Sequence, residues 1–134
     1  MKTILFLTGL TTFITLTSCT PTRKHMREAD AQLLQSEQKM LAGEWTGAIT
    51  LAEQAGEAVK LGIEARPVRK GADGKELDMS PLFEAWAKGP HLELLTALRD
   101  SQAERAAAAF VATRHQCTSC HIAAGRNDIP LSTL

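Results

Sequence analysis

The chain has 134 residues, and its 15 Lys and Arg balance its 15 Asp and Glu, so the formal charge is zero at pH 7. That balance leaves no basic footprint for nucleic acid, and the length suits one domain with one core. Tyrosine is absent and aromatics are scarce, while Ala, Leu, Glu and Gln abound and Val and Ile thin out after the first residues; helices are predicted and no sheet is expected.

The chain opens with Lys2 and an uncharged apolar run, Thr3 to Leu16. The run has the length of a signal-peptide core and is too short to span a bilayer. It ends in Leu16-Thr17-Ser18-Cys19, which resembles the bacterial lipoprotein signal. The resemblance implies a signal peptide over residues 1–18, a single mature domain over residues 19–134, and lipid on Cys19. Two acyl chains hold a soluble body stably at a membrane. Thr20 after the cysteine resembles the pattern sorted to the outer membrane, on its periplasmic side.

A first helix is predicted over about 22–41, with Met26, Ala29, Leu33, Met40 and Leu41 on one side. Gly43 makes a tight connection. A second helix follows over about 45–62, with Trp45, Ile49, Ala52, Ala55, Gly56, Val59 and Ile63 in one stripe. Its small residues allow a neighbour to approach closely. Residues 64–80 contain Pro67, Gly71, Gly74 and several basic side chains, and read as a long solvated connection.

Ser80 followed by Pro81 predicts a capped start for the third helix. Gly89-Pro90 interrupts it, and helix resumes through residues 91–100. Ser101 and Glu104 have the spacing of a capping box and open a fourth helix, which ends near Ala124 with Gly125 as the C-terminal stop. The pattern predicts an all-α chain folded as an antiparallel four-helix bundle.

Near the end of that last helix stands Cys117-Thr118-Ser119-Cys120-His121. A structural zinc site needs four ligands, and the chain offers too few. A redox dithiol of the thioredoxin kind needs a strand before its helix, which the pattern lacks. Covalent attachment of haem needs two cysteines three apart, an adjacent histidine and export from the cytoplasm. Only that reading meets both the spacing and the amino terminus. It makes Cys117 and Cys120 thioether links to one haem c, and His121 the proximal iron ligand.

No methionine follows His121, so the early-motif arrangement of small cytochromes c does not fit. A haem motif closing the last helix of an Ala-rich four-helix chain resembles the cytochrome c′ family, the class II c-type cytochromes. The stretch "FVATRHQCTSCHIAAGR" carries the resemblance, with support from "AGEW" and "SPLFEAWAKGPHLELLTAL". It implies that Arg126 lies beside a haem propionate. In an antiparallel bundle the start of the first helix lies beside the end of the fourth, so His25 and Met26 are at the depth of His121. Met79 is at the same end. Met26 is favoured as the distal iron ligand, against His25 and an open face. The family leaves both six- and five-coordinate haems in view.

Two functions follow. A six-coordinate haem makes a membrane-tethered periplasmic carrier of single electrons, with a redox partner protein. An open face makes a site for nitric oxide or carbon monoxide. A thiol-disulfide role is the third reading. No paired carboxylates or nucleophile-base set points to an enzyme. The family often forms dimers, which leaves a homodimer open.

Overall fold

The structure, a computed structural model, describes residues 20–132. The predicted signal peptide over residues 1–18 and the predicted lipidation at Cys19 lie outside the described residues. The chain is mostly helical, with little sheet. Its elements are α1 (Pro21–Leu41), α2 (Trp45–Glu64), β1 (Val68–Lys70), β2 (Glu76–Asp78), α3 (Ser80–Lys88), α4 (Pro90–Arg99) and α5 (Ala103–Ala123). No described helix is long and apolar enough to cross a membrane.

Helices α1 and α2 form an antiparallel pair. Gly43, at φ +74°, takes the left-handed conformation that lets the Gly43 and Glu44 amides return to the carbonyls of Met40 and Lys39. Ser36 Oγ donates to the Ala48 carbonyl at 2.7 Å near this turn, and Gly62 faces Met26 at the opposite end. Small residues line the α2 side: Ala48, Ala52, Ala55, Ala58 and Gly62 are all buried. Of these, Ala48, Ala52 and Ala55 join Leu33 and Met40 of α1, Leu94, Ala97 and Leu98 of α4, and Ala106, Ala109 and Phe110 of α5 in one core. Leu41 does not share it. As the last residue of α1, turned about 100° from Met40, it is 69% exposed.

The break between α3 and α4 falls at Gly89, as the Gly-Pro pair predicts. A Cβ there would lie 2.7 Å from the Ala85 carbonyl oxygen, so only glycine fits the join. The cap of α3 differs from expectation. Ser80 is the first helical residue, and its amide donates to Asp78 Oδ1 at 2.9 Å. The predicted capping box at Ser101 and Glu104 is absent: Gln102 is the N-cap of α5 and makes no side-chain cap bond. Ser101, at φ +53°, is instead the left-handed stop of α4. Its amide and that of Gln102 return to Leu98 and Ala97, and a residue committed to ending one helix cannot cap the next.

Helix α5 runs back beside α4, where Arg105 pairs with Glu93, and beside α1, where Arg114 pairs with Glu37. The second pair is nearly buried, and the Arg114 guanidinium also lies 5.6 Å over the Phe110 ring.

The connection over 64–80 corrects the sequence reading. It holds an antiparallel hairpin in which Val68 opposes Asp78, Arg69 opposes Leu77 and Lys70 opposes Glu76. Its loop is closed by the Gly71 amide on the Lys75 carbonyl, 2.7 Å, and by the Lys75 amide on Asp73 Oδ1, 3.0 Å. The hairpin is tied to the end of α5 by the Ala72 amide, which donates to the Ala123 carbonyl at 2.9 Å.

Candidate functional site

On α5 the buried residues Ala106, Ala109, Phe110 and Thr113 recur at intervals of three and four. Cys117, Cys120 and His121 continue that spacing, so one helical face carries first the core and then the motif. All three are half-buried, and the two cysteines are unbridged thiols.

The helix end that holds them is fixed from several sides. Gly125, at φ +66°, turns the chain, and the amides of Gly125 and Arg126 donate to the carbonyls of Ile122 (2.9 Å) and His121 (2.7 Å). That is a complete C-terminal cap of the kind Gly125 predicts. The hairpin takes the Ala123 carbonyl. Beyond the cap the chain crosses to α1, where the Ser132 amide and hydroxyl donate to the Asp30 carboxylate at 3.0 and 2.7 Å.

Burial dominates the electrostatics. It pushes the Cys117 thiol up to about 12, with Cys120 and Asp30 adding to the rise and Arg114 opposing it. The Trp86 indole lies close enough to Cys117 to oppose the rise as well, although its Nε1 makes no hydrogen bond among the described residues. Burial also raises the Cys120 thiol. Both cysteines are therefore protonated at neutral pH, whereas thiols that exchange disulfides are usually depressed. The His121 imidazole is shifted down, first by burial and then by the charges of Arg126 and Arg69; Asp30 and Asp128 oppose this. It is neutral at pH 7 and has a nitrogen lone pair to give a metal. Its Nδ1 is buried with no hydrogen-bond partner among the described residues.

The other predicted residues fall as follows. Met26 is half-buried on α1, one turn before Asp30. Its side chain fills the notch at Gly62, where a Cβ would lie 2.8 Å from the Met26 methyl and 3.5 Å from its sulfur. His25 Nδ1 lies 3.1 Å from Glu28 Oε2. Arg126 is exposed and pairs with Asp128 at 3.2 Å. Met79 is buried, and its amide donates to the Pro67 carbonyl at 2.8 Å. Among the described residues no three of His, Cys, Asp and Glu converge as a metal-binding group.

Three residues near the motif escape a sequence reading. Trp86 reaches Cys117 from α3, Asp30 acts on Cys117 and His121 from α1, and Arg69 acts on His121 from β1. The one available signal was Trp86, an aromatic on an amphipathic stretch in a chain with few aromatics.

No protein-family model, no curated protein and no solved structure matches the chain.

Proposed function

We propose that the chain is a c-type monohaem cytochrome that carries single electrons on the periplasmic side of a bacterial membrane, tethered through lipid on Cys19. On this reading the fold is an antiparallel four-helix bundle related to the cytochrome c′ family, with α3 and α4 as one broken leg. The carrying observation is the Cys117, Cys120 and His121 set on the inward face of a capped helix end. Its protonated thiols and neutral imidazole suit attachment and iron ligation better than disulfide exchange.

The residues fit the group. Cys117 and Cys120 would hold it by thioether bonds and His121 would ligate its iron. A buried indole N–H at Trp86 and a buried Nδ1 at His121 mark a half-finished polar environment on the same side. Bound, haem c supplies a one-electron ferric/ferrous couple. The chain's own part is to orient the imidazole through the cap at Gly125, to keep water from the inner face through Trp86 and Phe110, and to hold the helix end rigid through the hairpin. Rigidity limits reorganisation when charge changes.

One specific observation favours a second reading. The Met26 thioether is engaged by Gly62, which leaves room for an open distal face that binds nitric oxide or carbon monoxide.

Mass analysis of the exported chain, made in a host that attaches c-type haem, is expected to show one covalent haem. A bare chain refutes the proposal. The reduced spectrum then separates the two readings. Sharp α and β bands indifferent to carbon monoxide, lost on Met26→Ala, fit a carrier with Met26 as distal ligand. A broad spectrum that shifts with carbon monoxide fits the gas site.

A further inference from the structure

We propose that Arg69 on the hairpin is a carboxylate-binding residue that pairs with a propionate of the prosthetic group; the inference rests on the haem reading above. It starts from an inversion on a short strand. Alternation along β1 and β2 turns Arg69 and its partner Leu77 toward the body, while Val68, Lys70, Glu76 and Asp78 face out. The apolar side chain, Val68, is 48% exposed, and the charged one is turned in. Burial of a guanidinium runs against ordinary preference and is expected only where something pairs with it.

Arg69 Nε and Nη2 are buried with no hydrogen-bond partner among the described residues. Those two nitrogens share one edge of the planar guanidinium, the edge that grips a carboxylate through two parallel N–H···O bonds. The near charges make the case stronger. Arg66 and Arg126 both act on Arg69, and both are of its own sign. Arg126 has Asp128, but no described acid pairs with Arg69. Two arginines near one partly desolvated guanidinium repel it until an anion joins them.

The hairpin that carries Arg69 is bonded to the helix end that carries His121, through the Ala72 amide and the Ala123 carbonyl. Arg69 is also close enough to His121 for its charge to be felt there. Haem brings two carboxylates to the neighbourhood of its proximal ligand, and the edge presented by Arg69 has the chemistry to take one. Arg126, exposed and engaged by Asp128, is the weaker candidate.

The test compares the holo forms of wild type, Arg69→Gln, Arg69→Lys and Lys70→Gln as full exported chains. The readouts are the propionate bending band in resonance Raman spectra and the midpoint potential at one pH. Arg69→Gln is expected to shift the band and lower the potential, because a cation that favours ferrous iron is gone. Arg69→Lys keeps the charge and loses the two-pronged grip, so the band shifts while the potential falls less. Lys70→Gln, on the outward face, leaves the band in place. A haem-bearing wild type whose band is the same in all three variants overturns the assignment of Arg69 and leaves the cytochrome reading intact. A wild type without covalent haem overturns both.

Discussion

His91 and His121 are both withdrawn from water, and in both burial is the main cause that lowers the imidazole pKa. They differ in what surrounds the ring. His91 Nε2–H donates to the Ala52 carbonyl at 2.9 Å, and its ring stacks on Trp86 at 4.3 Å. The notch at Gly56 receives it so closely that a Cβ there would lie 2.5 Å from His91 Cε1. His121 has a buried Nδ1 without a partner and two arginines in its field. One histidine is completed by the protein and serves the core. The other is held ready by a capped helix end and is incomplete in the same region as Trp86 Nε1 and Arg69. Desolvation alone therefore does not single out a candidate site here; desolvation combined with unpaired polar atoms at His121, Trp86 and Arg69 does.

The comparison can be broken most sharply at Gly56. Gly56→Ala drives a methyl into a ring that is stacked on one side and hydrogen-bonded at its edge. It is expected to destabilise the fold by about 1–3 kcal/mol, more than its gain in helix propensity of about 1 kcal/mol. Denaturant unfolding measures this, and a stabilised variant would show that His91 is not locked.

A smaller effect comes from acid. His91 is neutral when folded, with a pKa below the ordinary imidazole value, owing first to burial; the Ala52 bond and Glu53 oppose the shift and Arg99 adds to it. The unfolded chain therefore binds the proton more readily. The contribution of His91 to stability is fully present above about pH 6.5 and is lost as pH falls through that value toward the depressed one. Melting temperatures from pH 7 down to pH 5 should fall less steeply in His91→Gln than in wild type. Equal slopes would assign the acid sensitivity elsewhere.

The smallest effect is expected at Gly62. A Cβ there meets the methyl end of the flexible Met26 side chain, which can swing away. Gly62→Ala should change stability by less than about 1 kcal/mol while displacing Met26. A carrier with Met26 on its iron would then show a changed reduced spectrum despite an unchanged melting temperature. An unchanged spectrum favours the open distal face.

The helices were legible in the residues because a period of three to four, a Gly-Pro break and a glycine stop act over a single turn. Ala29, Leu33, Ala52 and Ala55 are buried as their spacing predicts. Errors arose where one residue had two local roles. Ser101 could cap α5 or end α4, and only the backbone path between the helices chose the second. The hairpin was missed because its strands are three residues each and mostly charged, so no alternating apolar pattern announced them.

The sequence by itself determined a helical chain and the motif Cys117, Cys120 and His121 on one face of the last helix, since spacing along a helix is a covalent property. Only the tertiary structure decided what meets that face. Trp86, Asp30 and Arg69 come from three other elements, and burial, which sets the protonation of every group there, exists only once those elements pack. Arg69 looks like one more surface charge in a line of letters; strand alternation and a docked hairpin turn it inward.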